Sequence, residues 1–258
     1  MERQRYRELR GCLRNAAKGH RDDPRCTHRD ATIVAVQLWA ALHDKPISWA
    51  TRPTNWPGDL RPRPLPSQSC MSRRLRHEGV LGLIERLNRT LRDQLPNSDV
   101  KLVDARPLTV GGCSKDPDAA SGYGAGHRVR GYKLHAICDQ YGAVDHWIVT
   151  PMNGSEPAAA QAMIEHVPHA AYILGDGNYD TNALYERAGE RGIQWLAQPR
   201  RRGSRAPGNR QHSVHRFAVW HWVRSEHGRG MIVRVRSGIE RINAWQGQAS
   251  IGLRQLPH

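Results

Sequence analysis

Phenylalanine occurs once in this chain of 258 residues, and only five of its 39 basic residues are lysine (Lys18, Lys45, Lys101, Lys115 and Lys133). The near-absence of phenylalanine, and of any aromatic-rich recognition motif, weighs against RNA as the partner. Scarce lysine leaves arginine to carry the positive charge, and a planar guanidinium suits phosphate. A compositional bias in the coding genome would also favour arginine over lysine. It would not produce a net charge of +15 or a pI near 10.4. Cysteines are few, odd in number and scattered (Cys12, Cys26, Cys70, Cys113 and Cys138), which excludes a disulfide framework and fits a reducing cytosol. No stretch reaches the roughly 18 apolar residues of a membrane span, and no signal peptide opens the chain. What is abundant is positive charge, and its first implied partner is nucleic acid.

The length suits one large domain or two small ones. Residues 1–28 are charged and Arg/Glu-rich, a frayed helix or a tail. Cys12, His20, Cys26 and His28 are metal-ligating types, but their spacing matches no regular zinc finger. Residues 30–43 are apolar almost all round, which predicts a buried helix capped by Asp30. A short helix from Pro46 and a proline-rich basic connector over 52–66 follow. Residues 67–78 then form a capped basic helix bearing Ser67, Gln68, Arg73, Arg74 and Arg76. The two helices resemble a helix-turn-helix with an overlong connector, its second helix entering the major groove through residues such as Arg73 and Arg74. A solvated basic helix fits the same residues. A helix over 81–95 ends at Pro96-Asn97-Ser98, which predicts a boundary. The expected organisation is a helical, DNA-binding region over 1–97 and a second domain over 98–258.

In that second part Lys101-Leu-Val-Asp104 reads as a brief strand ending in an acid. A Gly-, Ser- and Asp-rich loop over 111–126 follows, in which Asp116 and Asp118 read as solvated turn residues. Residues 132–138 and 143–150 alternate as two strands of a hairpin around Asp139-Gln-Tyr-Gly142. Residues 156–167 predict a helix with Pro157 in its first turn. Ala171 to Leu174 is a short apolar run of buried-strand length, closed by Gly175-Asp176-Gly177. Asp180, Thr181 and Asn182 offer caps for a helix over 183–190, and residues 193–197 give another strand. A basic insertion lies near 198–232, in which residues 200–210 are a Gly/Pro-containing loop without periodicity, and a last helix carries Arg236, Glu240 and Arg241. Three strands followed by alternating helices and strands is the order of an α/β, RNase H-like mixed sheet flanked by helices.

Three acids occupy telling places: Asp104 ending the first strand, Asp176 ending the fourth, and Glu240 on the last helix. An RNase H-like sheet sets its first and fourth strands side by side, and ligands collect at the carboxyl ends of such strands. Hard oxygen ligands hold magnesium without enclosing it. Two cations about 3.5–4 Å apart clamp the attacking and leaving oxygens of an in-line phosphoryl transfer. Asp180 competes with Asp176, but its place suits a helix cap better.

At these residues the chain resembles the bacterial insertion-sequence DDE transposases, from about residue 32 to the end. The resemblance rests on Val103-Asp104-Ala-Arg-Pro-Leu108, Gly131-Tyr-Lys-Leu-His135, Gly175-Asp176-Gly-Asn-Tyr-Asp180 and Ser237-Gly-Ile-Glu240-Arg241. That family carries a signature of Tyr, two residues, Arg, three residues, Glu, six residues and Lys. Arg236 and Glu240 fit it, while Val233 and Gly247 stand where Tyr and Lys are expected, with Arg254 a substitute for the lysine. The resemblance implies Asp104, Asp176 and Glu240 as catalytic residues and ligands of two Mg2+ ions, with Mn2+ as a substitute. It implies cleavage of the element's own ends by activated water, then attack of the freed 3′-hydroxyl on target DNA. Arg236, Lys133, His135 and Arg241 join Arg73 and Arg74 as expected contacts to double-stranded DNA. A homodimer on DNA, in the bacterial cytoplasm at the nucleoid, completes the picture. The alternatives are a metal-dependent nuclease of the same fold and a defective, DNA-binding descendant. The departures at Val233 and Gly247, and an end at Leu256-Pro-His258 where relatives continue, point to the second of these.

Overall fold

Two long helices open the chain, α1 (Glu2–Ala16) and α2 (Asp30–Leu42). The computed structural model describes residues 2–96, 98–111, 115–124, 126–167, 169–199 and 213–248, with side chains up to 237. The chain divides between Pro96 and Asn97 into two compact units, the second running to Ala244.

In the first unit α2 is buried on most sides, as its all-round apolar sequence requires. It packs against α1 and against α5 (Glu78–Arg92), with short helices α3 (Ile47–Ala50) and α4 (Gln68–Arg74) completing the unit. Trp39 is the centre of the core. It stacks on Trp56 at 4.8 Å and meets Tyr6 edge-on at 4.8 Å, and its indole N–H reaches Asn55 O at 2.9 Å.

Asp30 does not cap α2. It is the helix's first residue, buried, and its carboxylate accepts from His20 Nε2 at 2.7 Å and from Arg74. Arg74 also donates to Cys26, and Arg86 to His20. Gly79 keeps this contact open, because a Cβ there would meet Asp30 Oδ2 at 2.6 Å. Arg74 is therefore buried structure and not a free DNA contact, a correction to the expectation from sequence. Alternation of basic residues cannot reveal which of them an acid 44 residues upstream will claim. Arg73, beside it, is exposed.

The second unit is built on a six-stranded mixed sheet. Its strands are β1 (Val100–Thr109), β2 (Ala120–Gly124), β3 (His127–Asp139), β4 (Val144–Pro151), β5 (Tyr172–Gly175) and β6 (Gln194–Ala197). The order is β2-β3-β1-β5-β6, with β4 pairing the rest of β3 beyond β2. β1, β3 and β4 are antiparallel neighbours, whereas β5 and β6 run parallel to β1. This is the RNase H-like arrangement of three strands followed by crossovers.

Helices α6 (Glu156–Ile164) and α7 (Asn182–Glu190) cover one face, packing on Val103, Ile137, Ile173 and Trp195. On the other face α8 (Val214–Arg224) and α9 (Glu226–Gln248) bring Val223 and Ile232 onto Cys138, Leu102, Leu174 and Leu196. Those four form one row across neighbouring strands, since Leu102 pairs with both Cys138 and Leu174, and Leu174 with Leu196. From Val214 onward the segment of the basic insertion is helical. Residues 200–212 lie outside the described residues.

β1 is longer than its apolar run. It continues through Pro107 to Thr109 because β5 leaves it after Leu102, so beyond that point β3 is its only partner in the ladder. A proline lacking an N–H is tolerated on an edge left open in this way.

Candidate active site

The parallel ladder between β1 and β5 brings Asp104 and Asp176 together. Its partners are Val100–Tyr172, Lys101–Ile173 and Leu102–Leu174, a constant offset that Asp104 and Asp176 share. Side chains alternate along a strand. Each aspartate lies two residues beyond the buried Leu102 and Leu174; Asp176 directly follows the last residue of β5, whereas Asp104 stands midway along β1, which runs on to Thr109, and does not end its strand as the sequence suggests. The registered pairs end at Leu102–Leu174, and Asp176 lies near enough to Asp104 to help raise its pKa.

Local sequence fixes each one. Asp104 Oδ1 accepts the N–H of Ala105 at 2.9 Å. Asp176 caps a 3-10 turn (Gly177–Tyr179), accepting from Asn178 N at 2.8 Å. Gly175 permits this turn, because a Cβ there would fall 2.8 Å from Tyr179 Cβ.

Burial pushes the Asp104 carboxyl up to about 6; the Ala105 N–H and the Arg236 guanidinium oppose that rise, while Asp176 and Glu156 add to it. Asp104 thus feels the charges of Arg236, Asp176 and Glu156. Arg236 arrives from α9 one turn beyond Ile232, the residue that anchors that helix on the sheet. Position 240 lies a further turn along the same stripe of α9, but the side chains of Glu240 and Arg241 lie outside the described residues.

Glu156, at the start of α6, is the acid that sequence reading passed over. It forms an ion pair with Lys133 at 2.7 Å and accepts from Asn178 Nδ2 at 3.3 Å. Its only local signal was Ser155 as a helix cap.

Although among the described residues the one group of three close enough to share an ion is His20, Asp22 and Asp30, Asp104 and Asp176 offer hard carboxylate oxygens of the kind a divalent cation takes. Tyr179 supports the same reading. Its hydroxyl is buried without a hydrogen-bond partner among the described residues, and Glu156, Asp104 and Asp176 all push its pKa further up after burial itself.

Lys133 and His135 lie together on the strand face opposite Asp104, the face that carries Val103 and Ile137. His135 is fully buried, with Nε2 2.8 Å from Thr150 Oγ1. Burial holds its pKa below the ordinary value, Glu156 pulling upward and Lys133 downward. His135 is therefore buried structure rather than a free DNA contact, a further correction to the expectation from sequence. Strand alternation said that it shares a side with Lys133, not that a helix covers that side.

Asp180 does not cap α7, whose N-cap is Thr181. Its Oδ2 accepts from Arg216 at 2.8 Å, fastening α8 to the turn after β5. Asp116 receives the Tyr132 hydroxyl at 2.7 Å, which lowers its pKa, and stands apart from the cluster as a turn residue. In the first unit His20, Asp22 and Asp30 come close enough to share an ion. There Arg74 and Arg86 already supply the positive charge.

Comparison with known proteins bears on the same region. The profile of the family described as "Transposase DDE domain" matches residues 96–256. No curated protein matches. Among solved structures, a chain of a simian T-cell lymphotropic virus intasome in complex with the PP2A regulatory subunit B56 gamma aligns at 11% identity with a TM-score of 0.26. The alignment covers 72% of this chain and 61% of that one, too loose a likeness to carry an argument.

Proposed function

Because the chain belongs to the DDE transposase family, we propose that it is a DNA transposase that cleaves the ends of its own insertion element and joins them to target DNA. What supports this reading is that Asp104 and Asp176, each two residues past the paired Leu102 and Leu174, act on one another electrostatically, with Arg236 also acting on Asp104. Asp104, Asp176 and Glu240 would hold two Mg2+ ions, with Mn2+ able to replace them. The ions supply charge neutralisation and an activated oxygen nucleophile.

The chain's own residues position the reaction. Burial and the Ala105 N–H hold the Asp104 carboxylate in one orientation, and the Asn178 N–H does the same for Asp176. Arg236 brings a guanidinium to the site, where it neutralises phosphate charge as that charge shifts in the transition state. Its Nε is buried and without a hydrogen-bond partner among the described residues, consistent with a group awaiting an anion. Arg241 in the second unit and Arg73 in the first are further proposed DNA contacts, each taken within its own unit. A homodimer holding two ends, at the bacterial nucleoid, is the assembly this reaction needs.

The experiment is end cleavage by the purified full chain on labelled duplexes carrying the inverted repeats that flank its gene. Millimolar Mg2+ should give nicked ends and joined products, whereas Ca2+ should give binding alone. Cleavage undiminished by a chelator contradicts the metal reading. Nicking without joining favours a nuclease, and binding without either favours a defective descendant, the outcome that Val233 and Gly247 make worth testing.

The amino-terminal basic helix yields a separate expectation. Arg73→Ala should weaken DNA binding across sequences and reduce the slope of log affinity against log salt by about one. Arg74→Ala should instead cost about 3 kcal/mol of stability, because it leaves Asp30 buried with its guanidinium gone. Gel-shift titrations over a salt series and thermal melts of both variants separate the two effects. Equal salt slopes for Arg73→Ala and the parent would remove Arg73 from the interface.

A further inference from the structure

The sheet face that carries Asp104 is covered along one row of residues and bears exposed apolar side chains along the next two. Val223 and Ile232 cover the first row, which Val144 closes on β4, paired with Cys138. In the next row Asp104 pairs with Ala136, and Ala136 with Trp147. Directly opposed residues of antiparallel strands stand on one face, so Trp147 shares Asp104's side of the sheet. The row beyond runs from Arg106 through Leu134 to Val149. Trp147 is 57% exposed and Val149 43%, whereas Ile148 between them packs with the core on the opposite face. Ala136 puts only a methyl group between the carboxylate and the indole. Two strand spacings separate Trp147 from Asp104, about 10 Å.

We propose that Trp147 is a substrate-binding residue, the platform on which a nucleobase stacks when its DNA strand crosses the sheet with a phosphate at Asp104. The inference rests on the reading of Asp104 as part of a DNA-cleaving site, and it requires no bound metal. An exposed indole meets any base through its π-face, independently of sequence. Positive charge lies on the same face: Arg236 acts on Asp104 from α9, and Arg106 stands in the adjoining row. Arginine contacts to phosphate set the register of a strand, and the indole then fixes the base. A base can give its face to Trp147 only after leaving its own stack. The substrate this shelf fits is therefore a strand locally unpaired near the cut.

The test is binding by the full chain, in chelator, of labelled duplexes carrying the element end, either fully paired or with a short mismatched tract. Anisotropy titrations compare the parent with Trp147→Ala, Trp147→Leu and Trp147→Tyr, and thermal melts establish which are folded. The parent should prefer the mismatched duplex. Trp147→Ala should lose about tenfold in affinity for it and little for the paired one. Trp147→Leu, which keeps apolar bulk without a ring, should behave as Trp147→Ala does and replaces it if that variant does not fold. Trp147→Tyr should keep most of the preference. A merely structural role would lower both affinities alike or neither, and either result overturns the proposal, as does a parent that binds the two duplexes equally. A dimer seen by light scattering in the parent and lost in Trp147→Ala, with the preference intact, would assign the shelf to a second copy instead. The reading of Asp104 is judged separately: end cleavage that survives Asp104→Asn overturns that reading, whereas an undiminished preference in Trp147→Ala overturns only this one.

Discussion

Asp104→Asn should abolish end cleavage while making the metal-free protein more stable. Asparagine keeps the shape of the side chain and its acceptor for the Ala105 N–H, but not the charge that holds a cation. Loss of the several kcal/mol that such a cation contributes to the transition state, at 1.36 kcal/mol per tenfold, lowers the rate by about 10³-fold or more. Asp176→Asn should match it.

The stability effect follows from burial, which raises the Asp104 pKa from 3.8 to about 6. Between those values the native state binds more protons than the unfolded chain, so stability falls as pH rises through that window. The full loss, roughly 3 kcal/mol for about two units, is present above pH 6. Asp104→Asn should therefore melt higher than the parent at pH 7–8 and at a similar temperature near pH 4. A variant that melts lower than the parent at every pH would contradict the buried, mutually repelling cluster.

Lys101→Met should be among the most destabilising single changes in the second unit. Lys101 Nζ lies 3.0 Å from Asp145 Oδ2, and both side chains are completely buried. Asp145 is there because β4 carries a bulge. Ile137 pairs with His146 and Cys138 with Val144, which leaves Asp145 as the extra residue, free to turn toward β1. Taking the ammonium away leaves a carboxylate in the sheet without that charge, at a cost of about 3–5 kcal/mol. Replacing both partners, as in Lys101→Met with Asp145→Leu, should recover most of the loss. Denaturant unfolding at pH 7 measures each step, and a single-variant cost under about 1 kcal/mol would show that the pair does little.

The strands that carry Asp104 and Asp176 were legible because their signals are local. A short apolar run closed by Gly175-Asp176-Gly177 specifies a strand and its turn, and an Asp-Gln-Tyr-Gly hairpin specifies the next pairing. Glu156 was not legible, because a glutamate one residue after a capping serine looks like an ordinary first-turn acid. Its meaning comes from Lys133, on a strand that only the folded register brings near. His135 and Arg74 failed for a related reason: periodicity reports which residues share a side, and burial depends on what later packs there. β2 was hidden inside a loop of weak strand formers, Ala120-Ser-Gly-Tyr-Gly124. It exists because the first five residues of the long β3 offer it a ladder that β4 does not use. Nothing in the sequence marks Asp145, since a bulge leaves no trace in the pattern of a single strand.

The shared offset of β1 and β5 has a consequence for how such a chain can change length. Residues can be gained or lost in the connections between those strands without altering the chemistry, since hydrogen bonding simply re-forms the same pairing on new numbers. Gaining one residue between Leu102 and Asp104, or between Leu174 and Asp176, is different: it swings the acid to the opposite surface of the sheet. Two spans of three residues each are therefore rigid rulers in an otherwise elastic sequence.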